Sequence, residues 1–289
     1  MIKVIKYVGV LLGLIVILII VAGFIADRRF DSKVKVEVKE LLRDQAGRGE
    51  YVVTDADLPG KPACVREWLT RAGVAGKQSP HSVRLTHSGS MRTEPGKAWM
   101  PFSAEYYYTV DQPGFIWQAR VKAAPLIHLS GRDMLYRGHG NMQIKLLSLI
   151  TVADARGQEI DQGSLLRYLA EIVWFPSAAL NDYISWEPIG ENQAQATITA
   201  GDISASGIYT FAENGMPVRF EARRYMSHDG GYSLEKWVAV MDDYKKFNGI
   251  LVPGRVQVSW DLPAGEFIWF QASVNDIEYD LGESFLPAN

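Results

Sequence analysis

Pro113-Gly114-Phe115-Ile116-Trp117-Gln118-Ala119-Arg120-Val121-Lys122 is the stretch on which the fold turns. After a Pro-Gly turn, Phe115, Trp117, Ala119 and Val121 alternate with Ile116, Gln118, Arg120 and Lys122. A period of two puts the first set on one face of a strand and the second on the other. The same period runs outward in both directions, predicting strands over 82–91, 99–110, 142–152, 193–200, 203–212, 216–226, 232–244, 250–260 and 266–280. Between them stand Asn214-Gly215, Asp229-Gly230-Gly231, Asn248-Gly249 and Ala264-Gly265. Asn-Gly between alternating runs is a strong hairpin signal, because both turn positions tolerate positive φ. Consecutive hairpins predict an antiparallel meander, and therefore a mainly β fold with a few helices: a strongly curved sheet, half-barrel or partial barrel, covered by helices. The segment 266–274 is apolar on both faces, with Ile268, Phe270 and Ala272 on one and Phe267 and Trp269 on the other, which suits a sheet covered by helix or ligand.

Three segments break the period. Gly163 to Trp174 predicts a helix with Ser164 as its N-cap, interrupted by Pro176. Arg167 and Glu171 are four apart and share one face; Leu166, Leu169, Ala170, Val173 and Trp174 make the opposite one. So apolar a helix belongs against the concave side of the sheet. A shorter helix follows Pro62, carries Val65, Trp68 and Leu69, and ends at Gly73. Its Cys64, the one cysteine of the chain, reads as a small buried hydrophobe. The third segment, 34–46, places Val34, Val38, Leu41 and Leu42 on one helical face, as an amphipathic stalk.

Ahead of it lie twenty uncharged residues, Tyr7 to Ala26, between Lys6 and Asp27. As a helix they span about 30 Å, the thickness of a hydrocarbon core, with every backbone group bonded internally. A cleaved signal peptide usually has a shorter apolar region, about 7–15 residues, and the best small-x-small site, Val21-Ala22-Gly23, lies inside the run. The expectation is a single-pass transmembrane helix in the cytoplasmic (inner) membrane. The basic residues flanking it balance, so the positive-inside rule does not orient it; a short tail before a first apolar helix usually stays cytoplasmic, which puts the domain on the extracytoplasmic side. The expected organisation is an anchor over 1–29, a stalk over 30–50 and a single β-rich domain over 51–289.

The chain's formal charge is −3. Without Lys3, Lys6, Asp27, Arg28 and Arg29 it retains 26 basic and 32 acidic residues, a net −6. An acidic domain without Lys/Arg blocks is a poor nucleic-acid binder, because phosphate neutralisation supplies most of that affinity. One cysteine excludes an intrachain disulfide and thiolate zinc sites. None of the five histidines forms an H-x-H or H-x-x-x-H pair, and no Walker A loop, G-x-G-x-x-G or G-x-S-x-G elbow occurs. No cofactor or metal is expected.

Four stretches carry a resemblance: Lys97–Glu105 (KAWMPFSAE), Pro113–Arg120 (PGFIWQAR), Leu166–Pro176 (LRYLAEIVWFP) and Phe247–Pro253 (FNGILVP). They resemble a prokaryotic membrane-anchored family of unknown function, over about Leu58 to Tyr279. More distantly, the order of strand, Asn214-Gly215, strand, Tyr244, Asn248-Gly249, Pro253 and two long strands ending in Asn275-Asp276-Ile277 is similar to the LolA-like lipoprotein-carrier superfamily. That likeness implies a half-barrel around a helix that holds acyl chains. Those carriers are soluble or lipid-anchored, so the apolar N-terminus is a departure.

The function expected is a membrane-tethered, non-enzymatic binding module for a lipid, lipoprotein or other apolar ligand. The alternatives are an envelope hydrolase using Glu171 with a nearby His or Arg, and a structural interaction protein whose groove its own side chains fill. The residues expected to meet a ligand are Arg167, Glu171, Trp174, Arg120, Trp117 and His139. Arg167 would offer its guanidinium to an anionic group at the rim, against the plainer reading of an exposed ion pair worth about 0.3–0.5 kcal/mol. His139 lies between Gly138 and Gly140, which permit close backbone approach.

Overall fold

The computed structural model describes the backbone of residues 2–43, 49–229 and 231–281, with their side chains except at 2–5, 8–10, 12 and 16. The opening stretch forms β3 (Gly114–Ala124), one of thirteen strands in a single antiparallel sheet. The first six are β1 (Ser82–Met91), β2 (Met100–Thr109), β3, β4 (Ile127–Tyr136), β5 (His139–Leu146) and β6 (Ile150–Ala155). The second run is β7 (Ile184–Pro188), β8 (Gln193–Ala200), β9 (Ile203–Phe211), β10 (Pro217–His228), β11 (Gly231–Phe247), β12 (Ile250–Leu262) and β13 (Gly265–Tyr279). Each run is a meander, and they join where β1 pairs with β13. β6 and β7 therefore lie at opposite edges of the sheet, and the chain must cross between them.

The crossing is made by α3 (Gln158–Glu171) and two 3-10 turns, Ile172–Trp174 and Pro176–Leu180. α3 touches β4 and β5 of one wing and β8, β9 and β10 of the other, so the sheet curls around it as a half-barrel. Register shifts at Thr86/His87, Lys122/Ala124, Ile144/Lys145, Pro217/Arg219 and Val258/Ser259 supply local twist and bend. Beneath α3 the packing is complete: Leu165, Leu166, Tyr168, Leu169 and Ile172 are wholly buried. The approach is close at Gly140, where a Cβ would stand 2.6 Å from the Ile160 carbonyl oxygen. α2 (Ala63–Ala72) closes one end of this core, with Trp68 against Trp186, Tyr209 and Phe211. Gly73 ends it at φ 78°, as the sequence predicts.

On the convex face lies α1 (Ile2–Arg43). Phe30, Val34, Val38, Leu41 and Leu42 cluster there with Ile116. The apolar face expected of a stalk is thus docked on the sheet; positions 44–48 lie outside the described residues. The N-terminal half of α1 leaves Tyr7, Leu11, Leu14, Ile17, Leu18, Ile20 and Phe24 exposed. Among the described residues no helix is long and apolar enough to cross a membrane. Five side chains of the Tyr7–Ala26 run, at 8–10, 12 and 16, lie outside them.

Several expectations need correction. α3 starts at Gln158, with Gly157 before it, so Ser164 is a buried mid-helix residue and not an N-cap. The stretch 142–152 is two strands, because Leu147 and Ser148 turn at φ 50° and 55°. β4 occupies glycine-bearing sequence in which the period of two is masked. The two-faced segment is resolved by its bulge: Val258 faces Phe270 and Ser259 faces Ile268, leaving Trp269 over. Phe267 and Phe270 consequently both join the core.

Candidate functional site

α3 turns Gly163, Arg167, Glu171 and the following Trp174 toward β1–β4 and β10. Arg167 Nε donates to Glu171 Oε1 at 2.9 Å, and its Nη1 donates to Asp133 of β4. Its guanidinium also lies 5.1 Å over the Tyr106 ring, 5.0 Å over Trp117 and 5.3 Å over Phe115. Glu171 accepts the Tyr106 hydroxyl at 2.6 Å and the Tyr108 hydroxyl at 3.1 Å. The side chains of Arg167 and Glu171 are only 14% and 13% exposed, so the surface-pair reading fails. In this setting the partners matter more than the pair itself, since removing one leaves an uncompensated buried charge.

Burial and the mutual field of these charges shift their proton affinities. Burial, reinforced by the Glu171 charge, pushes the Asp133 carboxyl up to about 7 against the pull of Arg224 and Arg132. Burial also raises Glu171, opposed by the Arg167 cation and its hydrogen bond. Arg224 of β10 is brought down to about 10 by burial and the like charge of Arg167. His87 of β1 is pushed down to about 3 by burial and by Arg167, and is neutral. The Trp117 Nε1–H donates to His87 Nε2 at 2.9 Å, so the ring proton belongs on Nδ1, which is buried without a partner among the described residues.

Arg224 is the cation of the cluster with an unused donor. Its guanidinium stacks 4.9 Å over Trp237 and its Nε is buried with no hydrogen-bond partner among the described residues. A Cβ at Gly163 would stand 3.4 Å from that Nε. The charged cluster sits at a boundary on the concave face. Under α3 the side chains are sealed, whereas beyond it Phe102, Trp117, Val258, Trp260 and Phe270 each keep 5–9% of their surface open. Farther out, Met91, Met100, Ala104, Leu129, Met226 and Leu262 are half-buried against the same core. The result is an apolar concave lining, buried near the charged cluster and half-buried farther out, where it forms a shallow trough. An aliphatic chain fits its lining, and the Arg224 guanidinium, with its Nε buried and unused, puts a positive charge beside it.

Of the residues expected from sequence, the structure brings together Arg167, Glu171, Trp117 and Trp174. Trp174 is part of the floor, donating to the Pro253 carbonyl at 3.1 Å. Arg120 is on the other face of β3, where it binds Asp27, Asp31 and Ser130 and holds α1. His139 is at the β4–β5 turn, 80% exposed and 3.5 Å from Asp161. Asp133, Arg224, His87, Tyr106 and Tyr108 complete the cluster, and sequence reasoning misses them. Their signal is a polar residue on an apolar face: Leu129-x-Gly131-x-Asp133-x-Leu135, Phe220-x-Ala222-x-Arg224-x-Met226 and Val83-x-Leu85-x-His87. Among the described residues no group of three His, Cys, Asp or Glu could hold a metal ion.

Comparison with known proteins gives one family: "Family of unknown function (DUF6544)" matches residues 51–272. No curated protein matches the chain. Similar solved structures include a LolA superfamily protein from Nitrosomonas europaea, 9% identical with a TM-score of 0.43, covering 78% of this chain and 96% of that one. A DUF1329 family protein from Desulfovibrio piger is 12% identical with a TM-score of 0.44, covering 78% and 97%. A putative outer membrane lipoprotein-sorting protein domain from Vibrio parahaemolyticus is 8% identical with a TM-score of 0.39, covering 78% and 94%. At that distance no property of those proteins is carried to this chain.

Proposed function

We propose, from the premise that the chain belongs to the family of unknown function DUF6544, that it is a membrane-tethered, non-enzymatic module binding a lipid or lipid-modified ligand. The ligand's aliphatic part lies in the trough and its anionic group meets Arg224. The observation that carries this reading is Arg224 itself: a cation among buried groups, with an unused donor, beside an apolar lining. A charged donor left unpaired costs free energy unless a ligand or water satisfies it. Glu171 has both oxygens taken by Tyr106, Tyr108 and Arg167, which suits a group that positions Arg167 better than one that attacks a substrate.

The tether rests on the twenty uncharged residues Tyr7–Ala26, carried on a helix whose apolar side chains are exposed. Burying such a surface in hydrocarbon stabilises it by about 25 cal/mol per Å². In this reading the domain lies on the extracytoplasmic side of the cytoplasmic membrane.

The test is native mass spectrometry of the full chain released from detergent micelles. The expected spectrum shows a retained lipid mass. Ala104→Trp, which fills the trough, removes it, and Arg224→Met reduces it more than Arg224→Lys does. Recovery of lipid-free protein from several membrane preparations would sink the proposal.

A further inference from the structure

We infer that the β3–β4 and β5–β6 hairpin tips are embedded in the same bilayer that takes up the apolar half of α1. The inference rests on the tether reading and adds a second membrane contact, made by the domain itself. Its first support is direction. α1 runs antiparallel to β3: Asp27 binds Arg120, Asp31 accepts from Gln118 at 2.7 Å, and Leu41 lies at Gly114. Moving up the helix toward Tyr7 is therefore moving along β3 toward Ala124.

Both hairpins lie at that end. Lys122 pairs with His128, Leu129 with Leu146 and Leu146 with Ile150, while the Leu147 N–H donates to the His128 carbonyl at 2.9 Å. His128 itself contacts Asp27, the residue that closes the apolar run. At about 3.3 Å per strand residue the tip at Leu126 stands roughly 15–20 Å past Arg120. The same distance on a helix is about ten residues, so the tip comes alongside the apolar run.

The second support is what the tips display. Leu126 is 96% exposed and Ile150 61%, and Ile127, Leu149 and Val152 are exposed with them. Leu126 also holds φ 65°, a left-handed conformation that favours glycine or asparagine. A bulky apolar residue held facing water in a strained conformation is unfavourable on both counts, and entry of the tip into lipid removes the cost of exposure. Arg28, Arg29 and Lys122 are exposed near the level of Asp27, where cations meet headgroups. By register Met91 and Met100, at the open end of the trough, face the same way, because Phe102 pairs with Val121 and Met100 with Met91. A ligand would then pass from bilayer to trough without crossing water.

The test uses the full chain with Cys64→Ala and one new cysteine at a time: Leu126→Cys, Ile150→Cys, Leu11→Cys and Gln112→Cys. Gln112 is in the turn at the opposite end of β3. Each is labelled with an environment-sensitive fluorophore and placed in phosphatidylcholine vesicles containing a minority of phosphatidylglycerol and a shallow doxyl-labelled lipid. The expected result is loss of fluorescence at positions 126, 150 and 11, and none at 112. Quenching at 11 without quenching at 126 and 150 overturns the inference and leaves the tether standing. Quenching at none of them overturns both, and equal quenching at 112 overturns the orientation.

Discussion

Replacing Asp133 by Asn should change how stability depends on pH. The Asp133 carboxyl is held at about 7 in the fold, against an ordinary value of 3.8. Between those values the unfolded chain has released the proton and the folded chain retains it. Raising the pH through this window therefore favours unfolding, and above the folded value the penalty becomes constant. From pH 5 to pH 8 the loss amounts to about 2–3 kcal/mol, because each tenfold difference in proton affinity between the two states is worth about 1.36 kcal/mol. Asparagine does not titrate, keeps an acceptor for Arg167, and removes this slope. Urea unfolding of the full chain in non-ionic micelles, across that range, gives the comparison. The parent should lose stability relative to Asp133→Asn as the pH rises. A difference between the two that stays flat from pH 5 to 8, or grows in the parent's favour, would refute the buried-cluster reasoning.

Other consequences are as direct. His87, pushed down to about 3, cannot take up the proton that the unfolded chain binds below about pH 6.5, so acid destabilises the fold. His87→Gln should remove a slope of about 1.4 kcal/mol per pH unit below pH 6.5, read from thermal melts. Gly140→Ala puts a Cβ 2.6 Å from the Ile160 carbonyl oxygen and should cost about 1–3 kcal/mol by urea unfolding. Arg120→Met takes the cation from Asp27 and Asp31 and should speed hydrogen exchange in the 27–42 stretch of α1, leaving α3 protected. Unchanged exchange there would mean that Phe30, Val34 and Val38 hold the helix alone.

The parts of the fold written in local chemistry were legible in the sequence. β1 has the predicted bounds, and Asn248-Gly249 turns with φ 50° and 81°, as an Asn-Gly hairpin requires. What escaped depends on contacts distant in sequence. No local signal marks Leu147-Ser148 as a turn; the bond from the Leu147 N–H to His128 helps hold it. The bulge at Val258/Ser259 likewise reverses the facing of Phe267 only once β12 and β13 are paired. For the site, the four-residue spacing of Arg167 and Glu171 was legible, but their environment was not. Asp133 is 34 residues from Arg167 in the chain, on a strand that the alternation did not predict. Arg120 shows the opposite error: alternation alone did not say that its face of β3 belongs to α1.

A lipid-class ligand in the trough would be captured by site-specific photo-crosslinking. A benzophenone side chain is placed at Ala104, on the trough lining, or at exposed Gln271 on the convex face, in the full chain within lipid vesicles. A covalent lipid adduct is expected at 104 and none at 271; no adduct at 104, or equal adducts at both, would mean that the trough holds no lipid.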